Sequence, residues 1–251
     1  MRTYHVRILP RAQGGALAAH GTAFATTPII EQQVMEKIAR ALAATLDVLA
    51  EVGARHALFG GLAAGYHGRQ RATADADLLV SRHFVQHIQV AMELRGYTVR
   101  QFPFLVKIYA PGEPKSVGDL VVQESNCVLR TAFLTTTPAV ILGLPVSVVQ
   151  RGVFVALQFH AITTRRRRSK DRIHDVLDIQ GVLEKEFGPQ DEQLAVEVAR
   201  MIYPGAVADL KSLINDLRCG RWPGIARRVT IHTALLKRHS IGTLRRGRFL
   251  A

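Results

Sequence analysis

Two acidic residues two positions apart, Asp75 and Asp77, open an apolar run, Leu78-Leu79-Val80. In an extended chain the side chains at i and i+2 point to the same face, so these carboxylates converge on one spot. Held side by side they repel unless a cation neutralises them or one takes a proton. An all-oxygen donor set selects a hard divalent ion, Mg²⁺ or Mn²⁺, whose remaining ligands are waters and phosphate oxygens. Fourteen residues before Asp75 stands Gly60-Gly61. A glycine pair at a strand-to-helix turn lets backbone N–H groups approach a phosphate closely, and the helix N-terminus favours the anion. Each signal alone is weak, since an Asp-x-Asp pair on a surface strand can simply be solvated. Together they describe one place for a triphosphate and another for the metal that bridges it.

Other residues fall around this pair. Arg71 either binds phosphate or offsets the repulsion between Asp75 and Asp77. Thr73 supports the strand or touches the nucleotide. Asp119, in Gly118-Asp119-Leu120-Val121-Val122, is a third carboxylate in an apolar setting, or else a turn residue after Gly118. His67 reads as a packed residue more than as a catalyst.

These residues need elements to hold them. Val34, Ile38, Leu42, Leu46 and Leu49 recur at spacings of three and four, which predicts a helix from Glu31 that stops before Gly53. His56 to Phe59 reads as a strand, Leu62 to His67 as a short helix, Asp75 to Val80 as a strand and Phe84 to Leu94 as an amphipathic helix. Tyr97 to Gln101, Leu105 to Tyr109 and Asp119 to Val122 read as further strands, with Gly112, Pro114 and Gly118 as punctuation. After Pro145 the pattern turns helical: Val149 to Ile162, Arg172 to Phe187, Asp191 to Ile202 and Val207 to Leu217. The expected fold class is α/β (α+β), a small mixed sheet flanked by helices and followed by a helical C-terminal region. Its expected division is a disordered extension over 1–30, a core over 31–150, a helical subdomain over 151–204 and a basic helical tail over 205–251.

Composition narrows the class. The 251 residues are 48% hydrophobic, which suits a folded chain and not a disordered one. Two cysteines cannot frame a disulfide scaffold. The most apolar stretch, 131–159, is broken by Pro138, Pro145 and Arg151, so no membrane span is expected. Arg11 and His20 interrupt any secretory core, and the expected location is cytoplasmic. Thirty-three Lys and Arg stand against 20 Asp and Glu, a net +13 that favours polyanionic partners. Two segments carry the whole surplus: 205–251, with ten basic and two acidic residues, and 165–172, with six and one. Arg165, Arg166, Arg167 and Arg168 are thus either a nucleic-acid contact or a solvated loop.

Gly60-Gly61 followed by a short helix and then Arg71-x-Thr73-x-Asp75-x-Asp77 resembles the motif of nucleotidyltransferases with the DNA polymerase β-type fold, and within them the AbiEii-like bacterial branch, which includes toxins of toxin–antitoxin pairs. The resemblance covers about residues 31–185 and is specific around 60–80. It implies Asp119 as the third catalytic and metal-binding carboxylate, beside Asp75 and Asp77. It also implies a helix bearing a Lys and then a Lys-Asp pair opening the next helix. Lys170-Asp171 occupies the second place, or is an ordinary helix start with Ser169 as N-cap. Gln158 stands where the Lys is expected, a departure that puts phosphate neutralisation there in doubt. The implied activity is transfer of a nucleoside monophosphate from an NTP to an acceptor hydroxyl with two metal ions, the acceptor being RNA, tRNA first. The alternatives are a nucleotide- or nucleic-acid-binding protein without turnover, or transfer to a protein or small molecule. A cognate antitoxin protein is an implied partner.

Overall fold

The computed structural model describes residues 27–165 and 167–222. Residues 1–26, Arg166 and 223–251 lie outside them, and with them most of the expected N-terminal extension, one of the four arginines and the larger part of the basic tail. The chain divides into two compact units, the first ending at Gln150 and the second starting at Arg151.

The first unit is a mixed α/β layer. Helix α1 (Thr27–Glu51) buries Ile38, Ala41, Leu42, Val48 and Leu49; of the stripe expected from the spacing, Val34 is exposed and Leu46 half-buried. Strand β1 (His56–Phe59) leads directly into α2 (Gly60–His67), which begins at the glycine pair itself. Strand β2 (Ala76–Val80), helix α3 (Val85–Leu94) and strands β3 (Thr98–Phe102), β4 (Leu105–Tyr109) and β5 (Gly118–Val122) follow. Next come α4 (Cys127–Leu134), β6 (Thr136–Ile141) and β7 (Leu144–Val149), three elements that the apolar pattern did not announce.

The seven strands form one sheet in the order β3-β4-β5-β2-β1-β7-β6. Strand β2 lies inside it, antiparallel to β1 and parallel to β5. Leu78, Leu79 and Val80 are all buried, which is why this strand reads as a continuous apolar run and not as an alternating one. The β6–β7 hairpin turns on Leu142 and Gly143, both with positive φ, the two-residue connection that matches strand twist. Pro138 is tolerated because β6 is an edge strand. Val149 therefore belongs to a strand, and the next helix starts at Arg151.

The second unit is helical: α5 (Arg151–Thr163), α6 (Ser169–Glu186), α7 (Pro189–Ala199) and α8 (Ala206–Arg218). Helix α5 is buried almost all round, from Gly152 to Phe159 and at Ile162, and packs on α6 and α7. A Cβ on Gly152 would overlap the Asp191 carbonyl oxygen, so this glycine sets the approach of α5 to α7. Helix α8 packs on α6 and α7 through Leu210, Leu213, Ile214 and Leu217. Ser169 is the first residue of α6 and not its N-cap; that place falls to Arg168, without a side-chain cap. No helix among the described residues is long and apolar enough to cross a membrane.

Candidate metal centre

The sheet register builds the site. Strands β2 and β5 run parallel, and Asp77 pairs with Asp119 at the same level. On the far side of β5 the partner of Asp119 is Lys107 on β4, and the partner of Lys107 is Arg100 on β3. On the near side Asp77 faces Phe59 of β1, one residue before the glycine turn. Cross-strand partners share a face, so Asp77, Asp119, Lys107 and Arg100 form one row across the sheet. Asp75, two residues before Asp77, joins the same face. One oxygen from each of Asp75, Asp77 and Asp119 lies within 4.8 Å of the others.

The electrostatics register this crowding. Burial and then the charge of Asp119 push the Asp75 carboxyl above its ordinary range, against Lys107, Thr73 and Arg71. Asp77 is pushed up to about 7, by burial first and then by Asp75 and Asp119, with the Gly61 backbone N–H and Arg71 opposing. A three-carboxylate oxygen set so held fits a hard divalent cation, which would relieve the repulsion that otherwise retains a proton. Asp75, Asp77 and Asp119 are the residues that could hold it.

The glycines are fitted to the acids. Gly60 has φ +66°, and a Cβ there would overlap the Asp77 carboxylate. A Cβ on Gly61 would come 2.5 Å from Thr73 Oγ1 and 3.4 Å from Arg71 Cζ. The glycine turn, Arg71, Thr73 and Asp77 are thus in one place. Thr73 Oγ1 donates to the Asp75 carbonyl at 3.1 Å, tying the approach to β2. His67 is buried, with Nε2 at 2.8 Å from the Val149 carbonyl oxygen.

Two residues at the centre went unremarked in the sequence. Lys107 Nζ donates to Asp119 Oδ2 at 2.6 Å, and the Ser116 hydroxyl donates to Asp119 Oδ1. Burial lowers the Lys107 pKa, but the bond to Asp119 and the charges of Asp119 and Asp75 more than offset it and leave it raised. The one sequence sign of Lys107 was a cation in the middle of an apolar strand, Leu105-Val106-Lys107-Ile108-Tyr109.

The remaining expected site residues lie in the second unit. Gln158 is 8% exposed and its Nε2 donates to Asp178 Oδ2 at 2.6 Å, linking α5 to α6. Arg167 makes two bonds to Asp175, at 2.8 and 2.6 Å. Arg168 pairs with Asp171 at 2.8 Å. Lys170 is the second residue of α6, and Arg165 lies in the turn between α5 and α6.

The chain matches no family model. It also has no significant match among curated proteins. Among solved structures it is similar to an antigenic nucleotidyltransferase-like protein from Paracoccidioides brasiliensis, with 18% identity, 72% of this chain and 93% of that one covered, and a TM-score of 0.43. It is similar to the antibiotic-resistance factor ANT(2'')-Ia, with 13% identity, coverage of 84% and 98%, and a TM-score of 0.41. A lincosamide antibiotic adenylyltransferase with lincomycin bound gives 14% identity, coverage of 57% and 96%, and a TM-score of 0.42. Likenesses this distant carry no functional conclusion by themselves.

Proposed function

We propose that this protein is a divalent-metal-dependent nucleotidyltransferase that moves a nucleoside monophosphate from an NTP to an acceptor hydroxyl. One observation carries the reading: three carboxylates within 4.8 Å of one another, Asp77 and Asp119 on adjacent strands and Asp75 just before the first, stand beside a glycine turn whose Cβ positions are filled by Asp77 and Thr73. That arrangement supports the motif resemblance of residues 60–80.

In this reading Asp75 and Asp77 hold Mg²⁺ or Mn²⁺. When bound, the cation supplies charge compensation for the phosphates and for the leaving pyrophosphate. The Gly60-Gly61 turn and the start of α2 receive the triphosphate, and Arg71 adds a fixed positive charge beside it. The acceptor hydroxyl oxygen forms a bond to the α-phosphorus, and the bond from that phosphorus to the bridging oxygen breaks. The electron pair leaves with pyrophosphate, and the acceptor's proton passes to water by way of Asp119. Catalysis is positioning and electrostatics, with no covalent enzyme intermediate.

The net charge of +13 favours a polyanionic acceptor, and we take it to be RNA, with tRNA first and a toxin–antitoxin setting as the biological context. Arg165, Arg166, Arg167 and Arg168 are the candidate nucleic-acid contacts, and Lys170 is a candidate nucleotide contact. A second reading, nucleotide binding without turnover, draws on Gln158, which stands where a Lys is expected and is engaged with Asp178. Incubation with each labelled NTP, Mg²⁺ and total RNA discriminates. Label on RNA that Asp75→Ala abolishes supports the proposal, and NTP binding without label transfer supports the second reading. Label on protein or a small molecule, with RNA unlabelled, keeps the chemistry and removes the acceptor. Suppression of RNA labelling by the product of an adjacent small reading frame would support the antitoxin partner.

A further inference from the structure

The row across the sheet changes sign midway: two carboxylates, Asp77 and Asp119, are followed by two cations, Lys107 and Arg100. The ammonium of Lys107 is 2.6 Å from Asp119 Oδ2, in a pair whose side chains are 29% and 13% exposed. Ser116 takes the other oxygen of Asp119. Both oxygens of the third carboxylate are thus engaged by side chains, one of them a cation, whereas Asp77 lies against Gly60 and the Asp75 carboxylate accepts only a 3.5 Å contact from Thr73. We propose that the Lys107 ammonium takes the part of the second cation, so that the centre binds one divalent ion, held by Asp75 and Asp77, and not two. The inference rests on the nucleotidyltransferase reading above and deepens it.

Charge balance supports the assignment. One divalent ion and one ammonium match three carboxylates, which leaves the charge of Arg71, beside Gly61, for the phosphates. A second divalent ion on Asp119 would have to displace Lys107 or sit against it, with Arg100 as the next positive group in the row. Arg100 is itself held, its guanidinium carbon 4.9 Å from the centroid of the Tyr109 ring. An ammonium has three donors, so Lys107 can bond Asp119 and still reach a phosphate oxygen, supplying fixed charge where a metal ion would otherwise do so. What it cannot do is acidify a bound hydroxyl as a metal does, so acceptor activation falls to Asp119, through the lone pairs that Lys107 and Ser116 leave open.

Mn²⁺ alone, titrated into the full chain at pH 8 and followed by the paramagnetic resonance of the free ion, tests this. The expected count is one tightly bound Mn²⁺ per wild-type chain, two for Lys107→Met and one for Lys107→Arg. A wild-type count of two overturns the inference without any variant. So does a count of one in Lys107→Met with an unchanged circular dichroism spectrum, and Lys107→Gln serves if the Met variant fails to fold. A wild-type count of zero, or one that survives Asp75→Ala together with Asp77→Ala, overturns the metal-centre reading itself and this inference with it.

Discussion

Two clusters of carboxylates, one in each unit, are built in opposite ways. In the second unit each of three acids is given a nitrogen donor by its neighbours: Asp175 by both arms of Arg167, Asp178 by Gln158 and Asp171 by Arg168. Asp178 is fully buried and Asp175 2% exposed. Such paired or hydrogen-bonded buried charges fix a helix pair in one arrangement. In the first unit Asp75, Asp77 and Asp119 crowd within 4.8 Å, and Lys107 serves Asp119. Burial first, and then the charges of Asp75 and Asp119, push Asp77 up to about 7; burial raises Asp175 as well, against its bonds to Arg167. A cluster in which each acid accepts from a neighbouring guanidinium or amide is a structural joint. One whose acids crowd on one another is a candidate place for an ion from outside. The closeness of the acids to one another, and not their number, separates the two.

That contrast can be broken by substitution. Asp77→Ala should lower NMP transfer on the order of 10³-fold in a single-turnover assay while the chain still folds and melts cooperatively. Equal loss from Asp175→Ala, without unfolding, would mean that the second cluster is catalytic too. Gly60→Ala puts a Cβ into the Asp77 carboxylate at a positive φ, and should cost about 3 kcal/mol in urea unfolding together with Mn²⁺ affinity. Asp175→Ala should cost about 2 kcal/mol, since Arg167 can turn to water, and should leave Mn²⁺ binding unchanged.

The smallest effect is set by pH. Asp77 must lose its proton to bind a cation, so Mn²⁺ affinity should rise with pH and weaken about tenfold per unit below 7. In the metal-free protein the raised pKa means that the folded state binds more protons than the unfolded one between about 4 and 7. Stability contributed by protonated Asp77 is therefore lost as pH rises through that window. Asp77→Asn should melt higher than wild type at pH 8, with the difference shrinking at pH 4. A constant difference across that range would mean that Asp77 is not the group retaining the proton.

Much of the metal centre was legible because it is local. Asp75 and Asp77 share a face by the period of a strand, and Gly60-Gly61 marks a turn by the needs of backbone alone. Helices α1, α3 and α5 to α8 were legible from apolar spacing, to within a few residues at their ends. The α4 helix and the β6–β7 hairpin were not, although Asn126 caps α4 by accepting from the Val128 N–H at 2.7 Å. Pro138 and Pro145 masked the hairpin, because proline argues against a strand until its place is known: Pro138 lies on the edge strand β6, and Pro145 near the start of β7, away from Val148 where β7 pairs with β1. Gln158 was legible as a departure from a motif, but its engagement with Asp178 twenty residues on was not.

By itself, then, the sequence determined which residue types meet at short range: the acid pair, the glycine turn and the helical faces, each dictated by a local repeat. Strand register decided the rest. It set Asp119 level with Asp77 and Lys107 level with Asp119, pairings between segments 12 to 42 positions apart. No spacing rule fixes such partners, because they depend on which strands of the sheet lie side by side and on how they are aligned.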